Sequence, residues 1–299
     1  MRVNLDGVMN AMITPMSASG SVDIPKIAPL VEHQIENGVH SLLALGGTGE
    51  YIALAKEQRE AAVREVVSAV RGRVPVIAGV LEPGIGQCVA VCRSCIEIGV
   101  SALLVLPPFY VTPTQTGIFN FFKKMHDELN FPLIVYNNPA RTGTNVLPET
   151  YEKMLDEIPS VIGIKECGTF VQALDVIRRA GKRSYVLTGA DLVAPSFYAA
   201  GGRGGILATA CLLPKESVRM YELASSGKFD EALEIHFRSF SLVQLVFSGG
   251  FHPAPLKYAM RLCGFEVGEL GIPLVEPDAA LKTAIRNELE KLGMLRVAS

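Results

Sequence analysis

Eight short apolar runs recur along the chain, each closed by turn residues: GVMNAMI (7–13), SLLAL (41–45), PVIAGV (75–80), SALLVL (101–106), FPLIVY (131–136), SVIGIK (160–165), RSYVLTG (183–189) and GGILAT (204–209). Most are nearly unbroken in hydrophobicity, the pattern of strands buried on both faces of a parallel sheet. Amphipathic stretches with helix signals lie between them. Asp23 opens IPKIAPLVEHQIENG and Gly38 closes it; KEQREAAVREVVSAVRG sets charges on one face against Val63, Val66, Val67 and Val70 on the other. PETYEKMLDEI begins with a proline, which suits a first helical turn. Strands alternating with helices at intervals of roughly 20 to 35 residues predict an α/β protein, a (β/α)8 TIM barrel. The alternative is an open doubly wound sheet, which often carries a G-x-G-x-x-G loop after its first strand, where this chain has ITPMSASGSVD. Beyond residue 214 no further strand is expected. PKESVRMYELASSGK completes the eighth barrel helix, and FDEALEIHFRSFSLVQLVF, PAPLKYAMRLCG and PDAALKTAIRNELEKLG form a C-terminal helical extension. The expected division is residues 1–226 for the barrel with its active site and 227–299 for the helical region.

Composition narrows the function classes. Of 299 residues, 49% are hydrophobic and 19% charged, enough apolar material for a large core. The net charge of −2 comes with no basic block, which argues against nucleic acid or an anionic membrane as partner. No apolar stretch is long enough to span a bilayer and the first residues show no secretory leader, so a cytoplasmic protein is expected. Cys88, Cys92 and Cys95 fall at i, i+4 and i+7, one helix face, where they read as small apolar residues turned inward. The Cys92–Cys95 C-x-x-C could instead be a redox pair; a zinc site would need two more ligands, and none is near in sequence.

In a TIM barrel the active site lies at the C-terminal ends of the strands. There the chain places GGTGE (46–50), PPFY (107–110), YNNPARTG (136–143), Lys165 and GAD (189–191). Lys165 ends an apolar strand, and a buried lone ammonium is costly, so it is either paired with Glu50 or another rim acid, or functional. Attack on a ketone needs the neutral amine; at an ordinary pKa of about 10.4 only about one lysine in a thousand is neutral near pH 7. Burial is expected to lower that pKa. Tyr110 and Tyr136 can shuttle protons or simply pack. GGTGE offers consecutive amides and the Thr48 hydroxyl to a carboxylate, or is an ordinary glycine turn. Arg141 can clamp a carboxylate in two-pronged fashion or lie on the surface.

Together these elements resemble the dihydrodipicolinate synthase and N-acetylneuraminate lyase family of class I aldolases. The most specific combination is YNNPARTG followed by IGIKE (162–166). The resemblance implies that Lys165 is the Schiff-base lysine, Tyr136 the proton shuttle beside it, and Tyr110 a tyrosine reaching a neighbouring subunit's site. It implies a carboxylate pocket at Thr48, substrate contacts from Gly47, Gly189 and Ile206, and Arg141 on a distal carboxylate. It also implies a homotetramer, a dimer of dimers, with a small keto acid as substrate and no metal or other cofactor. Two departures bear on substrate. Gly47 stands where the family has a hydroxyl linking the two tyrosines, and it leaves room for a bulkier group. Cys167-Gly168-Thr169 also departs from the usual residues after the lysine. Lys56, Arg59, Pro83 and Gln87 replace the residues of lysine-regulated synthases. The preferred expectation is a lyase, aldolase or dehydratase, acting on pyruvate or a 2-keto-3-deoxy acid; the alternatives are dihydrodipicolinate synthase and an idle keto-acid-binding protein.

Overall fold

A computed structural model describes residues 3–248 and 252–296. Eight strands, β1 (Gly7–Ala11), β2 (Ser41–Ala44), β3 (Val76–Val80), β4 (Ala102–Val105), β5 (Leu133–Asn137), β6 (Val161–Glu166), β7 (Tyr185–Thr188) and β8 (Gly204–Leu207), close into a barrel in sequence order. Every neighbouring pair is parallel, and β8 returns to β1 with Met9 opposite Ile206. The apolar runs of the sequence are thus the strands, trimmed by a residue or two at most ends. Their unbroken hydrophobicity has its cause in the layers: Leu42, Leu103, Leu104, Ile134 and Val186 are shut from water by helices outside and neighbouring side chains inside.

The helices are α1 (Ile27–Glu36), α2 (Lys56–Val70), α3 (Ile85–Ile98), α4 (Gln115–Leu129), the single turn α5 (Pro139–Thr142), α6 (Pro148–Glu157), α7 (Phe170–Ala180), α8 (Ala194–Ala199) and α9 (Pro214–Ser225). Thr114 and Thr169 cap α4 and α7 by accepting from the amides of Gly117 and Gln172, which the bare helix ends would leave unpaired. Gly99 stops α3 in a left-handed conformation open to glycine at little cost. Cys88, Cys92 and Cys95 are buried on α3 as free thiols, the inward-facing reading of that trio. Residues 226–228 then lead into α10 (Phe229–Phe247), α11 (Ala254–Leu262) and α12 (Ala279–Lys291), the expected helical extension. Among the described residues no helix is long and apolar enough to cross a membrane.

This extension is tied to the barrel by charge. Lys257 in α11 pairs with Glu50 at 2.5 Å, both side chains fully buried. Lys257 also donates to the Glu269 carbonyl at 2.7 Å, and the Glu50 carboxylate accepts from the Gly271 amide at 2.6 Å. The loop after β2 is therefore held in place by the far end of the chain.

Candidate active site

Side chains on a strand alternate between its two faces. At the ends of β5 and β6 that alternation separates two functions. Tyr136 and Lys165 are register partners and both line the barrel's mouth, whereas their successors Asn137 and Glu166, also register partners, join outside it. Asn137 donates to Glu166 at 3.0 Å, and Gln172 from α7 donates to the same carboxylate at 3.1 Å. That outer cluster fixes the two strand ends from which Tyr136 and Lys165 project inward.

Inside lies a cavity of about 210 Å³, below the roughly 300 Å³ of drug-sized pockets and suited to a small acid. The expected residues Gly47, Thr48, Tyr136, Arg141, Lys165, Gly189 and Ile206 all line it. Lys165 Nζ stands 4.5 Å from the centre of the Tyr136 ring, and the Tyr136 hydroxyl accepts from Asn138 at 3.2 Å. Gly189 leaves room for the side chains of Lys165 and Cys167. A Cβ there would fall 2.5 Å from Lys165 Cε and 2.1 Å from Cys167 Sγ. At Gly47 a Cβ would meet nothing within 4 Å, so the missing side chain leaves open room. Gly47, Tyr136, Asn138, Arg141 and His252 also border an outer chamber of about 340 Å³, walled largely by Ile52, Leu81, Leu106, Phe109 and Leu274.

Two expectations need correction. Glu50 does not pair with Lys165, because Lys257 holds it. Nor does burial leave Lys165 below its ordinary pKa. Burial depresses the ammonium, but Tyr136, Cys167 and Asp191 pull it back, and the balance lies above the usual lysine value. Part of that pull exists only in alkali, since burial pushes the Cys167 thiol up to about 11. Asp191 is buried and accepts from the Thr209 amide at 2.9 Å and from its hydroxyl; burial raises its carboxyl above the ordinary range.

Tyr110 is not brought to the cavity. It is 98% exposed, at a φ of 75° that a tyrosine rarely adopts. Arg59 stacks on Tyr51 and pairs with Glu82 at 2.6 Å. Cavity residues without an assigned role from the sequence include Asn138, Asp191 and His252. Asp191 stood in the GAD segment, whereas His252 gave no signal, lying next to a proline ahead of a helix.

A family model described as the dihydrodipicolinate synthetase family matches residues 4–292. A 4-hydroxy-tetrahydrodipicolinate synthase of Methanococcus maripaludis is 33% identical over 98% of this chain and 100% of its own. Among solved structures, dihydrodipicolinate synthase of Thermotoga maritima is 31% identical, with a TM-score of 0.94 over 97% of this chain and 98% of that one. YagE, an E. coli K12 prophage protein of the dihydrodipicolinic acid synthase family solved in complex with pyruvate, is 25% identical, with a TM-score of 0.92 over 97% of this chain and 99% of its own.

Proposed function

Because the chain belongs to the dihydrodipicolinate synthetase family, we propose that it forms a Schiff base between Lys165 and the 2-keto group of pyruvate or a related keto acid. It is an enzyme, a lyase of the class I aldolase kind. The observation that carries the proposal is Lys165 itself: a buried amine on a cavity wall, with no carboxylate at ion-pair distance among the described residues.

A raised lysine pKa is compatible with this chemistry because charge is conserved across it. An ammonium and a ketone become a protonated imine and water, so a setting that favours the first cation also favours the second. In the step itself two ammonium protons are passed on in turn, one before the freed nitrogen pair bonds to C2 and the carbonyl pair moves to oxygen, and one after, which frees the pair that expels that oxygen. Tyr136, whose hydroxyl can donate and accept, hands protons to that oxygen, which leaves as water. The iminium then draws electrons from C3, and loss of a C3 proton or cleavage of the C3–C4 bond gives the enamine. Thr48 and the neighbouring amides hold the carboxylate, and Gly189 and Ile206 shape the space around the imine.

For the second substrate, the named relatives favour the synthase reaction, pyruvate condensing with aspartate semialdehyde, and Arg141 at the cavity mouth suits a distal carboxylate. This reverses the order reached from sequence. Cleavage or dehydration of a 2-keto-3-deoxy acid remains the second reading, favoured by the missing hydroxyl and open room at Gly47. Tyr110, exposed on one chain, fits a role in a neighbouring copy within a homotetramer, a dimer of dimers. Borohydride trapping with pyruvate should add one pyruvate-derived mass to the wild type. Turnover with aspartate semialdehyde against 2-keto-3-deoxygluconate then decides between substrates. Absence of any trapped keto acid would sink the Schiff-base reading.

A further inference from the structure

His252 stands on the wall shared by the reactive cavity and the outer chamber. Its ring stacks on Phe247, with centroids 4.9 Å apart and planes inclined by 24°, and its Nε2 lies 3.1 Å from Thr48 Oγ1. Nδ1 is buried and makes no hydrogen bond among the described residues. The imidazole is thus clamped on one face and aimed at a single oxygen, that of the residue taken above as the carboxylate anchor.

Proton counting sets the direction of that contact. A threonine hydroxyl has one proton and two lone pairs, while a carboxylate only accepts. When Thr48 holds a carboxylate its proton points into the cavity, and its bond to His252 must then run the other way, with Nε2–H as donor. Burial, together with the nearby Arg141 and Lys165 cations, holds the imidazole down at about 3, opposed only by the Val246 backbone. At neutral pH the ring is therefore uncharged and has one N–H to place. Putting it on Nε2 keeps the Thr48 bond once the carboxylate has the threonine's proton, whereas putting it on Nδ1 would set the Nε2 and Oγ1 lone pairs face to face at 3.1 Å. Gly47 offers Thr48 no neighbouring hydroxyl to do the same work.

We propose that His252 is a positioning residue for the substrate carboxylate: by donating from Nε2 to Thr48 Oγ1 it turns the threonine's proton into the cavity. The proposal rests on Lys165 chemistry with Thr48 as anchor, and it holds for either second substrate. His252 touches no reacting atom.

The test compares borohydride trapping of pyruvate with that of acetone, which has no carboxylate. His252→Phe keeps a stacking ring and removes the donor, and His252→Asn restores a donor. Thr48→Val removes the anchor. His252→Phe should raise the half-saturating pyruvate concentration about 10-fold, the scale of one hydrogen bond to a charged group, with the maximal trapping rate and acetone trapping unchanged. His252→Asn should recover part of this, and adding His252→Phe to Thr48→Val should cost nothing more. The proposal is overturned if His252→Phe leaves pyruvate saturation within about twofold of wild type while Thr48→Val shifts it. It is equally overturned if acetone trapping falls in step, or if the two effects multiply. Failure of the Lys165 reading looks different: the wild type itself would trap nothing.

Discussion

Lys165 at the end of β6 and Lys257 in α11 are both buried lysines, and they have opposite surroundings. Lys257 has its needs met, with the Glu50 carboxylate at 2.5 Å and the Glu269 carbonyl at 2.7 Å. Burial still pulls its ammonium below the ordinary value, so even a good partner does not fully replace water. Lys165 has a tyrosine face, a neutral thiol and a more distant carboxylate, and an open cavity in front of it. The lesson is that burial alone does not mark a reactive lysine. What marks it is burial beside empty space, with the compensating groups held at arm's length so that the nitrogen stays free to form a bond.

Removing each nitrogen should therefore have opposite consequences. Lys165→Ala should lower turnover by about 10⁴-fold or more and abolish trapping, with little change in melting temperature, since its nitrogen borders an open cavity and leaves no carboxylate among the described residues unpaired at ion-pair distance. Lost activity accompanied by a collapse in stability would break the contrast. Lys257→Met should destabilise the fold by about 3–5 kcal/mol, because Glu50 is left charged and alone, and adding Glu50→Gln should recover most of the loss. Denaturant melts of the two variants measure this, and a double variant no better than the single one would contradict it.

The smallest effect concerns Asp191, whose carboxyl is raised on folding from its ordinary 3.8 chiefly by burial. A carboxyl with a raised folded pKa contributes stability that is full below the unfolded value and is lost as pH rises through the folded one. Asp191→Asn has no such loss. Its melting temperature relative to wild type should climb by roughly 1–3 °C between about pH 3.5 and pH 7, and thermal melts across that range would show it.

The barrel was legible because its signal is local. Each strand's burial on both faces writes itself as four to six consecutive apolar residues, as in Ala102–Val105 or Val161–Glu166 up to its lysine. Lys165, Tyr136 and Arg141 were legible because they interrupt or follow such runs. His252 and Lys257 were not. Their meaning comes from Thr48, 204 residues away in sequence, and from Glu50, and neither has a local pattern to betray it. The sequence placed Glu50 as a suitor for the wrong lysine for the same reason. Burial strength on Lys165 was judged correctly in sign, but the surrounding acids that reverse its net effect become visible only when β5, β6 and β7 stand side by side.

The Glu50 clasp also sets an order of events during synthesis. Gly271, which bonds its carboxylate, follows it by 221 residues, so a ribosome has released all eight strands before Lys257 and Gly271 emerge. Until then the loop carrying Gly47 and Thr48 holds an acid with no counterion, and closing it early would bury a bare charge. The nascent barrel is thus kept from sealing its own mouth until a segment translated after all eight strands completes the pocket.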